Sequence, residues 1–424
     1  MTDYNPILTD LGVDLVQHDA LIASNDRHIE KTRLWQKNRP EGMAYFDHAL
    51  HASHGERVAE IVEYRKAGGK SIGTFCIYVP DEIALAAEVL PIPLCGGSGW
   101  SVDYADKMFP RDICPLVRST FGMAFSNTCP YKKLKDFALG ETTCDAKKKT
   151  WDLLGFKVLE LPQKKQAIDA DLWRAEVREF LRMVEELSGV EVTAVRLRET
   201  IRLVNRKRRA MQRIDDLRKL PEPPISGIDA LEVAQVALSQ DIQRFITGTE
   251  ALAHELQARA KQHVSAYEKP GMRVLVAGSP SPMPNAKVHY IVESAGMRVV
   301  ADESCTGLRY SRDLVDETPN DLEGMLDAVA ARYFKIDCSC FSPNQERVDN
   351  VKAIIEAYDI QGVVHNVLQY CHTYDIEAKK IDNALAEMGI PSIKVVTDYS
   401  EEDTEQIRVR LETFKEVAAQ QAQA

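Results

Sequence analysis

The sequence predicts an α/β protein with two parallel-sheet units, a helical segment before the first and a helical insertion between them. Three observations carry this. Short β-like apolar runs alternate with amphipathic helical runs near residues 70–95 and again from 272 onward, and alternation of strand, loop, helix and strand implies a parallel sheet. Between about 170 and 265 the chain reads as long, highly charged helices without strand signals. The expected divisions are a helical segment at 1–68, a first α/β domain at 69–168, a helical region at 169–270 and a second α/β domain at 271–424.

Taken in order, ALIASNDRHIEKTRLWQ and HGERVAEIVEYRKAGG are amphipathic, the latter ending at Gly68 and Gly69. SIGTF is a short strand, Pro80 and Asp81 open a helix over DEIALAAEVL, and LPIPLC is a second strand ending at Cys95. DLWRAEVREFLRMVEELS and AVRLRETIRLVNRKRRAMQRIDDLRKL are long helices, broken by PEPPISG and followed by two more. The basic run Arg206-Lys207-Arg208-Arg209 is expected to be a solvated helix face. RVLVAGS, MRVVADES, GVVHNVLQY and SIKVVTD are the strands of the second unit, with helices between and after them.

Composition narrows the function. The formal net charge of −11 argues against nucleic acid and against an anionic membrane surface. No apolar run approaches the roughly 20 residues needed to span a bilayer. The N-terminal MTDYNPILTD lacks the basic and apolar regions of a secretory signal, so the expected compartment is the cytosol. There the nine cysteines are not expected to form stable disulfides.

Their positions matter more than their number. Ligands of open α/β sheets bind beyond the carboxyl ends of the strands. Cys76, Cys95, Cys305 and Cys371 each follow a predicted strand, and Cys114 and Cys144 sit at expected helix N-termini. Cys338 and Cys340 lie in a loop between helices or at the end of a very short strand. A helix N-terminus carries partial positive charge and unpaired amides, which favour a thiolate. One such cysteine suits a nucleophile; several converging on one crevice suit a metal. Paired zinc spacings are absent apart from the close Cys338-Ser339-Cys340, and widely spaced single cysteines suit an iron–sulfur cluster assembled between domains.

The motifs GTFCIYVPDEIALAA (73–87), CPLVRSTFG (114–122), GETTCDAKKK (140–149), ADESCTG (301–307), IDCSCFSPNQER (336–347), QYCHTYDIE (369–377) and TDYS (397–400) run across most of the chain. With them the sequence resembles the 2-hydroxyacyl-CoA dehydratase/benzoyl-CoA reductase superfamily, in particular its double-cubane cluster branch. The resemblance implies two flavodoxin-like (Rossmann-like) domains around an iron–sulfur site. Three cysteines ligate a single [4Fe–4S] cluster in that superfamily, and by motif they correspond to Cys114, Cys144 and Cys371. Double-cubane [8Fe–9S] members use six, for which Cys95, Cys305 and Cys340 make the second trio. Cys338 is the nearest substitute for Cys340, Cys76 is a further candidate near the site, and Cys129 is assigned a structural role.

The resemblance also implies a separate ATP-hydrolysing [4Fe–4S] reductase as electron donor, and the chain itself contains no GxxxxGK[ST] phosphate loop. The leading expectation is a homodimeric iron–sulfur reductase acting on a small substrate. A single-cluster (R)-2-hydroxyacyl-CoA dehydratase subunit and a non-catalytic electron-storage protein are the alternatives. Thr142 and Thr143 are expected to hydrogen-bond cluster sulfurs. His372 is expected to supply a proton or a bond to sulfur, or to be a packing residue. Lys147, Lys148 and Lys149 are expected to face water rather than an acidic partner, and Glu82 to complement a helix dipole.

Overall fold

The computed structural model describes residues 3–94 and 96–421. Among these residues eight strands form two four-stranded sheets, every pairing of which is parallel. The first sheet contains β1 (Lys70–Thr74), β2 (Val89–Pro93), β3 (Phe137–Glu141) and β4 (Lys157–Leu159). The second contains β5 (Arg273–Gly278), β6 (Arg298–Glu303), β7 (Gly362–Leu368) and β8 (Ser392–Thr397). The spatial orders are β2-β1-β3-β4 and β6-β5-β7-β8, so each unit has the order 2-1-3-4. That is the doubly wound, flavodoxin-like arrangement, which places its binding crevice where the chain leaves the first and third strands in opposite directions.

The strands of the second sheet follow the apolar runs of the sequence, and β5, β6 and β7 are buried at every position. A parallel sheet covered by helices on both faces requires this. In the first unit β3 and β4 went unpredicted. FALGE is short and ends in a charged residue, and KVL is three residues with two exposed, so neither carries a strong strand pattern. No strand forms around Cys338 and Cys340, which lie in the loop after helix Leu322–Phe334.

The middle helices tie the two units together. Helix Ala167–Ser188 packs on Leu322–Phe334 of the second unit, where the Trp173 indole donates to the Ala330 carbonyl at 3.0 Å. Helix Ala194–Arg218 packs both on Asp81–Ala86 of the first unit and on Leu308–Ser311 of the second. This corrects the reading of the basic run. Arg206 pairs at the surface with Glu250, but Lys207 and Arg208 are buried. Arg208 donates to Glu82 at 2.6 Å and to the Tyr333 hydroxyl at 3.1 Å, joining both units through one guanidinium. Glu82 is therefore half of a buried ion pair rather than only a dipole complement.

The N-terminal helices reach across as well. Leu15–Arg33 begins on an Asp14 cap and ends with Arg33 buried against Glu232, 3.1 Å away. The same guanidinium donates to Gln235 and to the Pro284 carbonyl in the loop after β5. Among the described residues no helix is long and apolar enough to cross a membrane.

Candidate functional site

The carboxyl ends of the two sheets border one cavity of about 310 Å³. Of the cysteines that line it, six fall into two chemically distinct sets. Cys114, Cys144 and Cys371 are the N-cap residues of helices Pro115–Phe125, Asp145–Leu154 and His372–Glu387. Each of the three borders the cavity. Cys76 and Cys305 lie two residues beyond the ends of β1 and β6, and Cys338 comes from the loop after Leu322–Phe334. All eight described cysteines are free thiols.

The thiols lie close enough to share protons. Cys114 stands beside Cys371, Cys76 beside Cys305, and Cys340 beside Cys338. In each pair one thiol keeps its proton more firmly and the other is pushed toward thiolate. The lowered partners, Cys305, Cys338 and Cys371, have further support. The Arg309 guanidinium lies 3.8 Å from the Cys305 sulfur, the Tyr374 hydroxyl 3.9 Å from Cys338, and the Thr373 hydroxyl 3.8 Å from Cys371. Arg309 is fixed by Glu303 and by Asp337 at 2.9 Å, and it donates to Tyr374 at 2.7 Å.

A helix N-terminus does not by itself make a thiolate here. Burial pushes the Cys144 thiol up, and the nearby Lys147 charge and the Lys147 amide only partly oppose it. In the uncomplexed protein the expected depression at Cys144 is thus absent, because desolvation outweighs the helix field.

The remaining predicted residues divide sharply. Thr143 lines the cavity, whereas the Thr142 hydroxyl is occupied by the Leu161 amide at 2.7 Å and ties β3 to the segment after β4. His372 is exposed at the first position of its helix and is absent from the cavity lining, because the turn that aims Cys371 inward directs the next side chain out. Cys340 turns toward Tyr78 and leaves the cavity wall to Cys338 and Ser339. Cys76 takes a cavity position that had been assigned only as a further candidate. Cys129 borders the same cavity but packs with the N-terminal apolar cluster of Ile92, Tyr131 and Leu134. Cys95 lies outside the described residues. Two residues further on, a Cβ at Gly97 would stand 2.6 Å from the carbonyl oxygens of both Pro282 and Met283, so only glycine allows the rims of the two units to meet there.

Four residues of this site were not anticipated: Lys147, Arg309, Thr373 and Tyr374. Three follow a cysteine at helical spacing, with Lys147 three after Cys144, Tyr374 three after Cys371 and Arg309 four after Cys305. Residues three and four apart share a helix face, so this signal was present in the sequence. Among the described residues no three Cys, His, Asp or Glu side chains are gathered as a single metal ion requires. The thiols instead surround a space of a few hundred cubic ångströms. Thiol donors, inward amides and two flanking cations form a donor set that fits an iron–sulfur cluster.

Residues 76–418 match the family model of the 2-hydroxyglutaryl-CoA dehydratase D-component. YjiM of Escherichia coli (strain K12), named by inference as a dehydratase subunit, is 35% identical over 368 residues, covering 84% of this chain and 94% of YjiM. The (R)-phenyllactyl-CoA dehydratase beta subunit of Clostridium sporogenes is 21% identical, covering 83% of this chain and 92% of its own. A subunit of the benzoyl-CoA reductase of Thauera aromatica is 23% identical, covering 81% and 90%.

Proposed function

The chain belongs to the 2-hydroxyglutaryl-CoA dehydratase D-component family, within the 2-hydroxyacyl-CoA dehydratase/benzoyl-CoA reductase superfamily of oxidoreductase-type enzymes, and from that premise we propose that it is a double-cubane iron–sulfur reductase. The observation that carries this reading is the set of six thiols around one cavity, three on helix N-caps and three on strand ends or a loop. One cubane would be held by Cys114, Cys144 and Cys371. The other would be held by Cys76, Cys305 and Cys338, a revision of the trio drawn from sequence, in which Cys338 replaces Cys340 and Cys76 stands where Cys95 was placed. When bound, the cluster would supply low-potential electrons to a small substrate. The protein's own groups prepare the site. Amides of Leu116 and Val117 point at the Cys114 sulfur and that of Tyr374 at Cys371. The Arg309 charge stands beside Cys305, and the buried walls limit access of water.

A cytoplasmic homodimer fed by an ATP-hydrolysing [4Fe–4S] reductase completes the proposal. The second reading, one [4Fe–4S] cluster in a dehydratase subunit, is favoured by the chemical distinctness of the three N-cap cysteines. Iron and acid-labile sulfide per chain after anaerobic reconstitution separate the two. About eight irons with slightly more sulfide support the double cubane, and about four reduce the site to the N-cap trio. The ligand sets are tested on variants. Cys305→Ala and Cys338→Ala are expected to lose iron while Cys129→Ala and Cys340→Ala keep it. Full iron retention in Cys305→Ala would remove that residue from the ligand set.

A further inference from the structure

Lys147 and Glu141 form a loosely joined ion pair at the cavity. Glu141 is the last residue of β3 and is completely buried, yet neither carboxylate oxygen has a donor in full hydrogen-bond geometry. Its nearest cation is the Lys147 ammonium, 4.0 Å away. The amides of Phe75 and Cys76 only partly offset its burial.

Lys147 lines the cavity and Glu141 does not, so the ammonium stands between the carboxylate and the sulfurs. Its side chain is only 14% exposed, against 36% for Lys148 one position on, and it lies over the Trp151 ring. Glu141, Cys76, Cys144 and Cys305 are the titratable groups facing it. Placing a largely buried lysine chain next to an under-partnered carboxylate is a poor way to stabilise a fold. It is an effective way to hold one positive charge against a group that carries negative charge.

We propose that Lys147 is the fixed counter-charge of the site, anchored from behind by Glu141, and that it sets how readily the cysteine-bound centre accepts an electron. The proposal rests on the reading that these cysteines hold an iron–sulfur cluster. An added electron raises the negative charge of the centre, so a nearby cation favours the reduced form and a nearby anion disfavours it. Lysine suits the role as a compact point charge, without the planar fork that would tie an arginine to one carboxylate.

The test is an anaerobic redox titration of reconstituted protein, followed by visible absorbance and electron paramagnetic resonance, with iron per chain measured alongside. In Lys147→Met the ratio of reduced to oxidised centre at a fixed ambient potential is expected to fall about tenfold, a midpoint shift of about 59 mV to more negative values for a one-electron couple. Lys147→Arg restores most of the shift, and Glu141→Gln moves the midpoint in the positive direction. A Lys147→Met midpoint equal to that of the unsubstituted protein overturns the proposal. So does a Lys147→Arg shift as large as that of Lys147→Met, since packing rather than charge would then govern. If Lys147→Met does not fold, Glu141→Gln decides: a positive shift supports the counter-charge and an unchanged midpoint removes it. Failure of the unsubstituted protein to take up iron takes down the iron–sulfur reading itself, and this proposal with it. That result is distinct from an unshifted midpoint in a loaded variant.

Discussion

The helix-packed flank of the first α/β unit and its cavity-facing rim each bury a glutamate, and the two are treated in opposite ways. Glu82 accepts from Arg208 at 2.6 Å and from the Tyr333 hydroxyl at 2.8 Å. Burial alone would raise its pKa, but the Arg208 and Arg332 charges outweigh that and hold it below the usual carboxylate range. Glu141 has one loosely placed ammonium and a pKa raised by burial. Both side chains are fully buried, so burial does not distinguish them; partner geometry does. Where the protein uses a charge to hold itself together, the charge is multiply bonded. Glu141, behind the Lys147 that lines the cavity, has no such set of donors.

The strongest way to break this contrast is to unpair Glu82. Arg208→Met leaves a buried carboxylate without its cation and is expected to cost about 3–5 kcal/mol in urea unfolding, while the double variant with Glu82→Gln recovers part of the loss. Equal stability of Arg208→Met and the unsubstituted protein would show that the pair contributes nothing.

A third buried glutamate sharpens the comparison through pH. Glu293 is bonded only by neutral donors, the Tyr267 hydroxyl at 2.6 Å and the Gly227 amide at 2.8 Å. Burial pushes it up to about 7 from an ordinary 4.5, against the lowering effect of those bonds. The folded state therefore holds a proton that the unfolded chain releases. Stability from this group is full below pH 4.5, declines as pH rises and is gone above 7, a change of roughly 3 kcal/mol. Unfolding midpoints at pH 5 and pH 8 measure the slope, and Glu293→Gln should remove this share of it. A variant with an unaltered slope would mean that Glu293 is ionised throughout.

The smallest effect belongs to Glu141. In the iron-free protein Glu141→Gln is expected to be neutral or to stabilise by about 1 kcal/mol, since a poorly partnered buried charge is removed. A loss above about 2 kcal/mol in the same urea titration would place Glu141 with Glu82 among the structural charges.

Much of the site's framework could be read before any coordinates. Cys76, Cys305 and Cys371 follow strands because the sequence alternates apolar runs with loops, and the carboxyl ends of parallel strands face one side by topology. Cys114 and Cys144 were readable as helix starts from Pro115 and from the amphipathic run after Asp145. The strand preceding Cys144 was not legible, since β3 draws its stability from pairing with β1 and β4 rather than from its own pattern.

What the sequence alone determined is the order of the elements of the second unit, the parallel connectivity of the strands it revealed and the presence of thiols at strand and helix ends. These depend on local periodicity and on spacing within a few residues. Only the tertiary structure decided that Cys338 rather than Cys340 faces the cavity, that Arg208 is buried beside Arg206 at the surface, and that Lys147 turns inward while Lys148 stays half exposed. Each is a choice between neighbours of the same chemical type. Their chemistry is identical in the sequence, and what separates them is which neighbour the packing of distant segments brings against the core.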